Sequence, residues 1–184
     1  MLKEVWKFLN NPVYRKYPRK DLNFLLPKFV PLLGYALIFS YGFGIFNSTL
    51  QSVFNLDIGD HASEEFINGP AIYLFGMAVI LAPIMEELIF RGPLVFLKES
   101  PYFKTIFYVV TLLFGFYHIL NFELTTTTLL FSPLLVAPQI SVGVFLGFVR
   151  VRFSLLWAIA FHSLYNFILM APLLLFKFLE IPIK

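Results

Sequence analysis

The sequence predicts an all-α fold: a polytopic transmembrane helix bundle of about five membrane helices, with an amphipathic N-terminal segment at the interface. Three observations predict it. Apolar residues make up 59% of the 184, charged residues only 14%, and mean hydropathy is +0.79; soluble domains run at roughly 45–50% and about 25%. Several apolar stretches reach the ~20 residues a helix needs to cross a hydrocarbon core. Their basic flanks fall on alternate connections, as the positive-inside rule expects of a chain that weaves through a bilayer. Barrel strands are disfavoured, because the runs do not alternate and are about twice a barrel strand's length.

The elements follow in order. The opening "MLKEVWKFLNNPVYRKYPRK" lacks the apolar core and small-residue cleavage site of a signal peptide. Its basic and aromatic residues suit an interfacial segment on the cytoplasmic leaflet. The spans run approximately Lys28–Asn47, Pro70–Lys98, Lys104–Asn121, Leu129–Val149 and Phe153–Phe176. Lys3, Lys7, Arg15, Lys16, Arg19, Lys20 and Lys28 precede or open the first, whereas the connection that follows it is acidic and has no Lys or Arg. Lys98 and Lys104 flank the second turn, "NFELTTTT" has no basic residue, and Arg150 and Arg152 flank the last turn. The expectation is an integral protein of the cell membrane with its N-terminus cytoplasmic and its C-terminus outside. Residues 1–184 read as a single integral membrane domain without internal repeat or linker. "TTTT" reads as a hydroxyl-rich loop, and "GVFLG" as a GxxxG helix contact without chemistry. The absence of cysteine excludes disulfides and thiol-based metal or nucleophile chemistry.

Polar side chains inside the spans carry the functional reading, because an ionisable group at mid-membrane needs a reason. They are Glu86, Glu87 and Arg91 on the second span, His118 on the third, and His162 with Asn166 on the fifth. Residues four apart share a helix face, so Glu87 meets Arg91 and Phe114 meets His118. Glu86 points about 100° away from Glu87 and has no partner on its own helix. At ~1.5 Å per residue, Glu86 lies ~18 Å from Lys98, His118 ~21 Å from Lys104 and His162 ~15 Å from Arg152. Three helices therefore carry ionisable groups to one level. Singly, each has an ordinary reading: a packing histidine, an interhelical Asn166, a structural Glu87–Arg91 pair. Together Glu86, His118 and His162 read as a functional site. His61, in the acidic connection, reads as a solvated loop residue. Pro83 and Pro93 flank the acidic set and can kink the span.

Amide hydrolysis needs an activated water and support for an oxyanion. Glu86 suits the base and acid, His118 the positioning of the water, and His162 with Asn166 the oxyanion.

"EELIFR", "FGFYH" and "HSLYN" fit EExxxR, FxxxH and HxxxN, in order and on successive membrane helices. In this the chain resembles the CPBP family, which comprises the type II CAAX prenyl endopeptidases and the bacterial Abi or bacteriocin-processing proteins. The resemblance covers roughly Pro70 to Ala171, a catalytic core of residues 70–171. It implies an intramembrane endopeptidase with Glu86, His118, His162 and Asn166 catalytic and Glu87, Arg91 and Phe114 supporting. The chain is shorter than the eukaryotic members. The partners implied are the lipid bilayer and a hydrophobic peptide or protein substrate, prenylated or not; no nucleic acid is expected. Cofactor use stays open: Glu86, His118 and His162 supply the three ligands that a divalent metal such as zinc requires, yet there is no HExxH, and the same residues serve a metal-free, glutamate-activated water. A small proton-coupled transporter and a non-catalytic membrane scaffold or immunity protein are the alternatives.

Overall fold

The structure is a computed structural model that describes residues 1–56, 58 and 68–179. Six helices account for it: α1 (Leu2–Asn10), α2 (Leu22–Phe54), α3 (Ala71–Val95), α4 (Phe103–Asn121), α5 (Thr126–Arg152) and α6 (Leu155–Phe178). No strand occurs among the described residues. Helices α2 to α6 are all long and apolar enough to cross a membrane, so the all-α bundle expected from the sequence is the fold observed. His61 lies outside the described residues.

Helix α2 begins earlier than the expected Lys28 because the Asp21 carboxylate accepts the Phe24 N–H at 3.1 Å and caps it. Its 33 residues span ~50 Å, against a hydrocarbon core of ~30 Å, so its ends project or the helix tilts. The threonine run is not a loop. Thr125 caps α5 by accepting the Thr128 N–H at 3.1 Å, and Thr126–Thr128 form the first turn. Hydroxyls favour that position because they satisfy the free N–H groups of a starting helix.

Helix α5 is the centre of the bundle, with Val142–Val151 buried except for Val144. A Cβ on Gly147 would lie 2.5 Å from the Phe107 ring of α4, and one on Gly143 would lie 3.1 Å from the Phe114 ring. The GxxxG face therefore lets α4 press against α5, as such motifs do.

The N-terminal segment is docked on the bundle. Val5 and Phe8 are buried, and Phe8 meets the rings of Phe107 and Phe148 at 4.9 and 5.4 Å. Lys104 Nζ and the Tyr108 hydroxyl donate to the last carbonyls of α1, at Asn10 (2.9 Å) and Leu9 (2.5 Å). Arg152 donates to the Arg15 carbonyl at 2.9 Å. The amphipathic face of α1 is thus covered by protein, while Trp6 remains 66% exposed. Lys104, Arg150, Arg152 and the N-terminal segment meet at one end of the bundle, hereafter the basic end.

Candidate active site

The irregular helix α3 builds one wall. It runs as α-helix to Leu74, π-helix over Phe75–Leu81, α-helix over Ala82–Glu86, π-helix over Glu87–Arg91 and 3-10 helix over Gly92–Val95. Pro83 explains the first break. In π geometry the Ala82 N–H bonds the Met77 carbonyl, so the next donor owed is at Pro83, which has none. The orphaned carbonyl is that of Ala78, and it accepts Nδ2 of Asn166 from α6 at 2.8 Å. At the other end the Arg150 side chain donates to the Arg91 carbonyl at 2.8 Å and the Gly92 carbonyl at 3.5 Å. It adds a charged donor to carbonyls at the turn where α3 tightens into 3-10 geometry.

The adjacent carboxylates part as expected. Glu87 and Arg91 are 0% and 1% exposed and pair at 3.1 Å. The guanidinium carbon stacks 3.7 Å from the Phe114 ring centroid, in a space that a Cβ on Gly143 would crowd. The pair is not closed on itself, because Glu87 Oε1 also lies 3.1 Å from His162 Nδ1. Glu86, 16% exposed, turns to the other side, where its Oε2 is 3.8 Å from Nε2 of His118 and 3.8 Å from Nε2 of His162. That oxygen has no protein hydrogen bond among the described residues.

The histidines are oriented by their other nitrogens. At His118 the backbone tightens so that its N–H bonds Gly115 and Phe116 rather than Phe114. The Phe114 carbonyl is thereby free to accept His118 Nδ1–H at 2.8 Å. Both Nδ1 partners, a carbonyl and a carboxylate, are acceptors, so in the neutral rings both protons sit on Nδ1 and both Nε2 lone pairs face Glu86. The Phe114 ring separates the two imidazoles, with its centroid 4.9 Å from His118 and 5.8 Å from His162.

Glu86, Phe114, His118, His162 and Asn166 line one cavity of about 470 Å³, whereas Glu87 and Arg91 stand behind its wall. The structure thus brings together the four residues expected at the centre and keeps the ion pair as backing. As placed, no group of three or more His, Asp or Glu side chains among the described residues forms a metal-ligand set.

Arg150 is the framework residue that sequence reasoning took for a mere basic flank. Its signal was spacing: Gly143, Gly147 and Arg150 repeat at four and three residues, one helix face, and that face is buried.

A partly buried carboxylate flanked by two oriented imidazoles, inside a bundle of apolar helices, places groups able to exchange protons within a membrane protein. Residues 68–168, more than half of the chain, match the family model described as Type II CAAX prenyl endopeptidase Rce1-like. The chain belongs to that family and is an integral membrane protein of the CAAX-type intramembrane protease class. No curated protein and no solved structure matches it.

Proposed function

We propose that the protein is an intramembrane endopeptidase in which Glu86 activates the attacking water, within a single domain whose catalytic core is residues 70–171. The observation that carries this is the placement of Glu86 Oε2 at 3.8 Å from both Nε2 atoms. At 3.8 Å, Glu86 Oε2 and His118 Nε2 are close enough for one water oxygen to lie within hydrogen-bonding reach (~2.8 Å) of both. Such a water gives one proton toward Glu86 and the other toward His118 Nε2, which leaves its lone pair for the scissile carbonyl carbon. Glu86 then carries the proton to the departing amine as the C–N bond breaks.

The oxyanion role divides unequally. Asn166 spends one amide hydrogen on Ala78 and has a second to donate. His162 Nε2 donates only as the imidazolium, its Nδ1 being held at the Glu87 carboxylate. Glu87, Arg91 and Phe114 act by holding His162 and His118 in place. Zinc would take the Glu86, His118 and His162 side chains; their present placement does not form a ligand set, and the reaction above uses them on water alone.

The basic end faces the cytoplasm on this reading, as the positive-inside rule directs for the cell membrane. The substrate is a hydrophobic peptide segment, prenylated or not, that reaches the cavity from the bilayer.

Purified wild type and Glu86→Gln in detergent, given a quenched farnesylated CaaX peptide and its unprenylated twin, test the proposal. Cleavage by wild type and none by Glu86→Gln is expected. Equal rates would sink the role of Glu86, and loss of wild-type cleavage with a strong chelator would replace the metal-free version by a metal-assisted one.

A further inference from the structure

A peptide bond inside a helix offers its carbonyl carbon to no nucleophile, so the substrate must be extended where it is cut. Extension in an apolar surrounding strips backbone N–H and C=O groups of partners, and each then needs one from the protein. Most polar atoms on the cavity wall are already engaged. His118 Nδ1 serves the Phe114 carbonyl, His162 Nδ1 serves Glu87, Asn166 Nδ2 serves the Ala78 carbonyl, and the Tyr165 hydroxyl serves Ser40 Oγ at 2.6 Å.

Gln139 is different. Its side-chain oxygen is buried without a hydrogen-bond partner among the described residues, and its amide lines the cavity of Glu86. It also lines a second cavity of about 490 Å³, between α2 and the α5–α6 pair, whose wall includes the hydroxyls of Ser40, Ser48 and Thr49. Gln139 therefore stands where the two cavities share a wall. A primary amide has a donor and an acceptor whichever way it is turned, the same pair that a neighbouring strand offers an extended peptide. Asn121, another amide on the wall of the Glu86 cavity, is exposed at the end of α4.

We propose that Gln139 binds the backbone of the extended substrate, donating to one carbonyl and accepting one N–H as the peptide passes between the two cavities. The residue is then a substrate-positioning side chain of the endopeptidase, and the inference rests on that reading of Glu86. It requires no particular side chain in the substrate, so the specificity it confers is for extended backbone.

The test combines variants with backbone-edited substrates. Wild type, Gln139→Met, Gln139→Glu and Glu86→Gln are assayed on the quenched farnesylated CaaX peptide. The same enzymes are then given a series in which each backbone N–H flanking the scissile bond is replaced in turn by an ester oxygen. We expect kcat/KM of wild type to fall roughly tenfold at one ester position. Gln139→Met should lose roughly tenfold on the all-amide peptide and nothing further at that same position. Gln139→Glu, which keeps an acceptor for the N–H, should retain the ester penalty. Wild-type insensitivity to every ester, wild-type rates for Gln139→Met, or an ester penalty undiminished in that variant would overturn the proposal, even if its fold is perturbed. Wild type as inactive as Glu86→Gln on every peptide would instead overturn the endopeptidase reading on which it stands.

Discussion

Helices α2 and α3 each carry two prolines, yet α2 remains α-helical through Pro27 and Pro31 while α3 passes into π geometry on either side of Glu86. The prolines of α2 fall within its first ten residues, where a lost hydrogen bond bends the entry of the helix and little else. Pro83 falls three residues before Glu86, and the carbonyl it orphans is taken by Asn166 of another helix. Helix α5 repeats the device. Pro138 has no N–H for the Leu134 carbonyl, and Asn47 of α2 donates to it at 2.8 Å. The difference teaches that a broken membrane helix persists where a neighbouring side chain replaces the missing backbone donor. Those replacements tie α3 to α6 at the cavity and α2 to α5 beside it.

The comparison is tested hardest at the buried ties of α3. Arg91→Met removes the cation partner of the fully buried Glu87 carboxyl and leaves it the His162 contact, so a loss of about 3–5 kcal/mol in stability is expected. The double variant Glu87→Gln/Arg91→Met should recover most of it, as read by thermal unfolding in detergent. Glu86→Gln should leave the melting temperature unchanged, since that carboxylate has no protein hydrogen bond on Oε2. A melt lowered as far as that of Arg91→Met would erase the distinction between the two carboxylates. Arg150→Met comes next. It removes the donor to the Arg91 and Gly92 carbonyls, and a loss of about 1.5–3 kcal/mol is expected for a charged hydrogen bond.

Asn166→Leu is expected to destabilise by about 1–3 kcal/mol through the orphaned Ala78 carbonyl. Pro83→Ala restores a backbone donor one turn on, so the double variant should regain stability. It should not regain cleavage, because the second amide hydrogen of Asn166 is still missing from the cavity. Recovery of both properties would make Asn166 purely structural; recovery of neither would mean that the π segment has another cause.

The helices and the common level of Glu86, His118 and His162 were legible because both rest on local quantities: run length and rise per residue. The Glu87–Arg91 and Phe114–His118 contacts followed from four-residue spacing, although at His118 the partner is the backbone carbonyl of Phe114 as well as its ring. What was not legible is tertiary. Nothing local says that Glu87 also receives His162 Nδ1, or that Asn166 spends a hydrogen on Ala78. The π segments escaped because hydrophobic periodicity does not register a hydrogen-bonded loop one residue longer in a helix apolar all round. Thr125 was missed as a cap because a threonine run suits either a loop or a helix start.

The smallest effect belongs to the regular helix. Asp21 caps α2 and is paired with Arg19 at 3.0 Å, with both side chains largely in solvent. The Arg19 hydrogen bond, above all, holds the Asp21 carboxyl below its usual value of 3.8. A depressed folded value means a contribution fully present above the unfolded value and lost as pH falls through the folded one. Acidification below about pH 4 should therefore lower the melting temperature slightly. Asp21→Asn keeps the cap and should remove that part of the acid dependence, with little change at neutral pH because exposed pairs are screened. Arg150→Met should leave the acid dependence as it is. If Asp21→Asn instead cost as much as Arg150→Met at neutral pH, α2 would depend on its polar end as α3 does, and the contrast between a capped regular helix and a braced irregular one would fail.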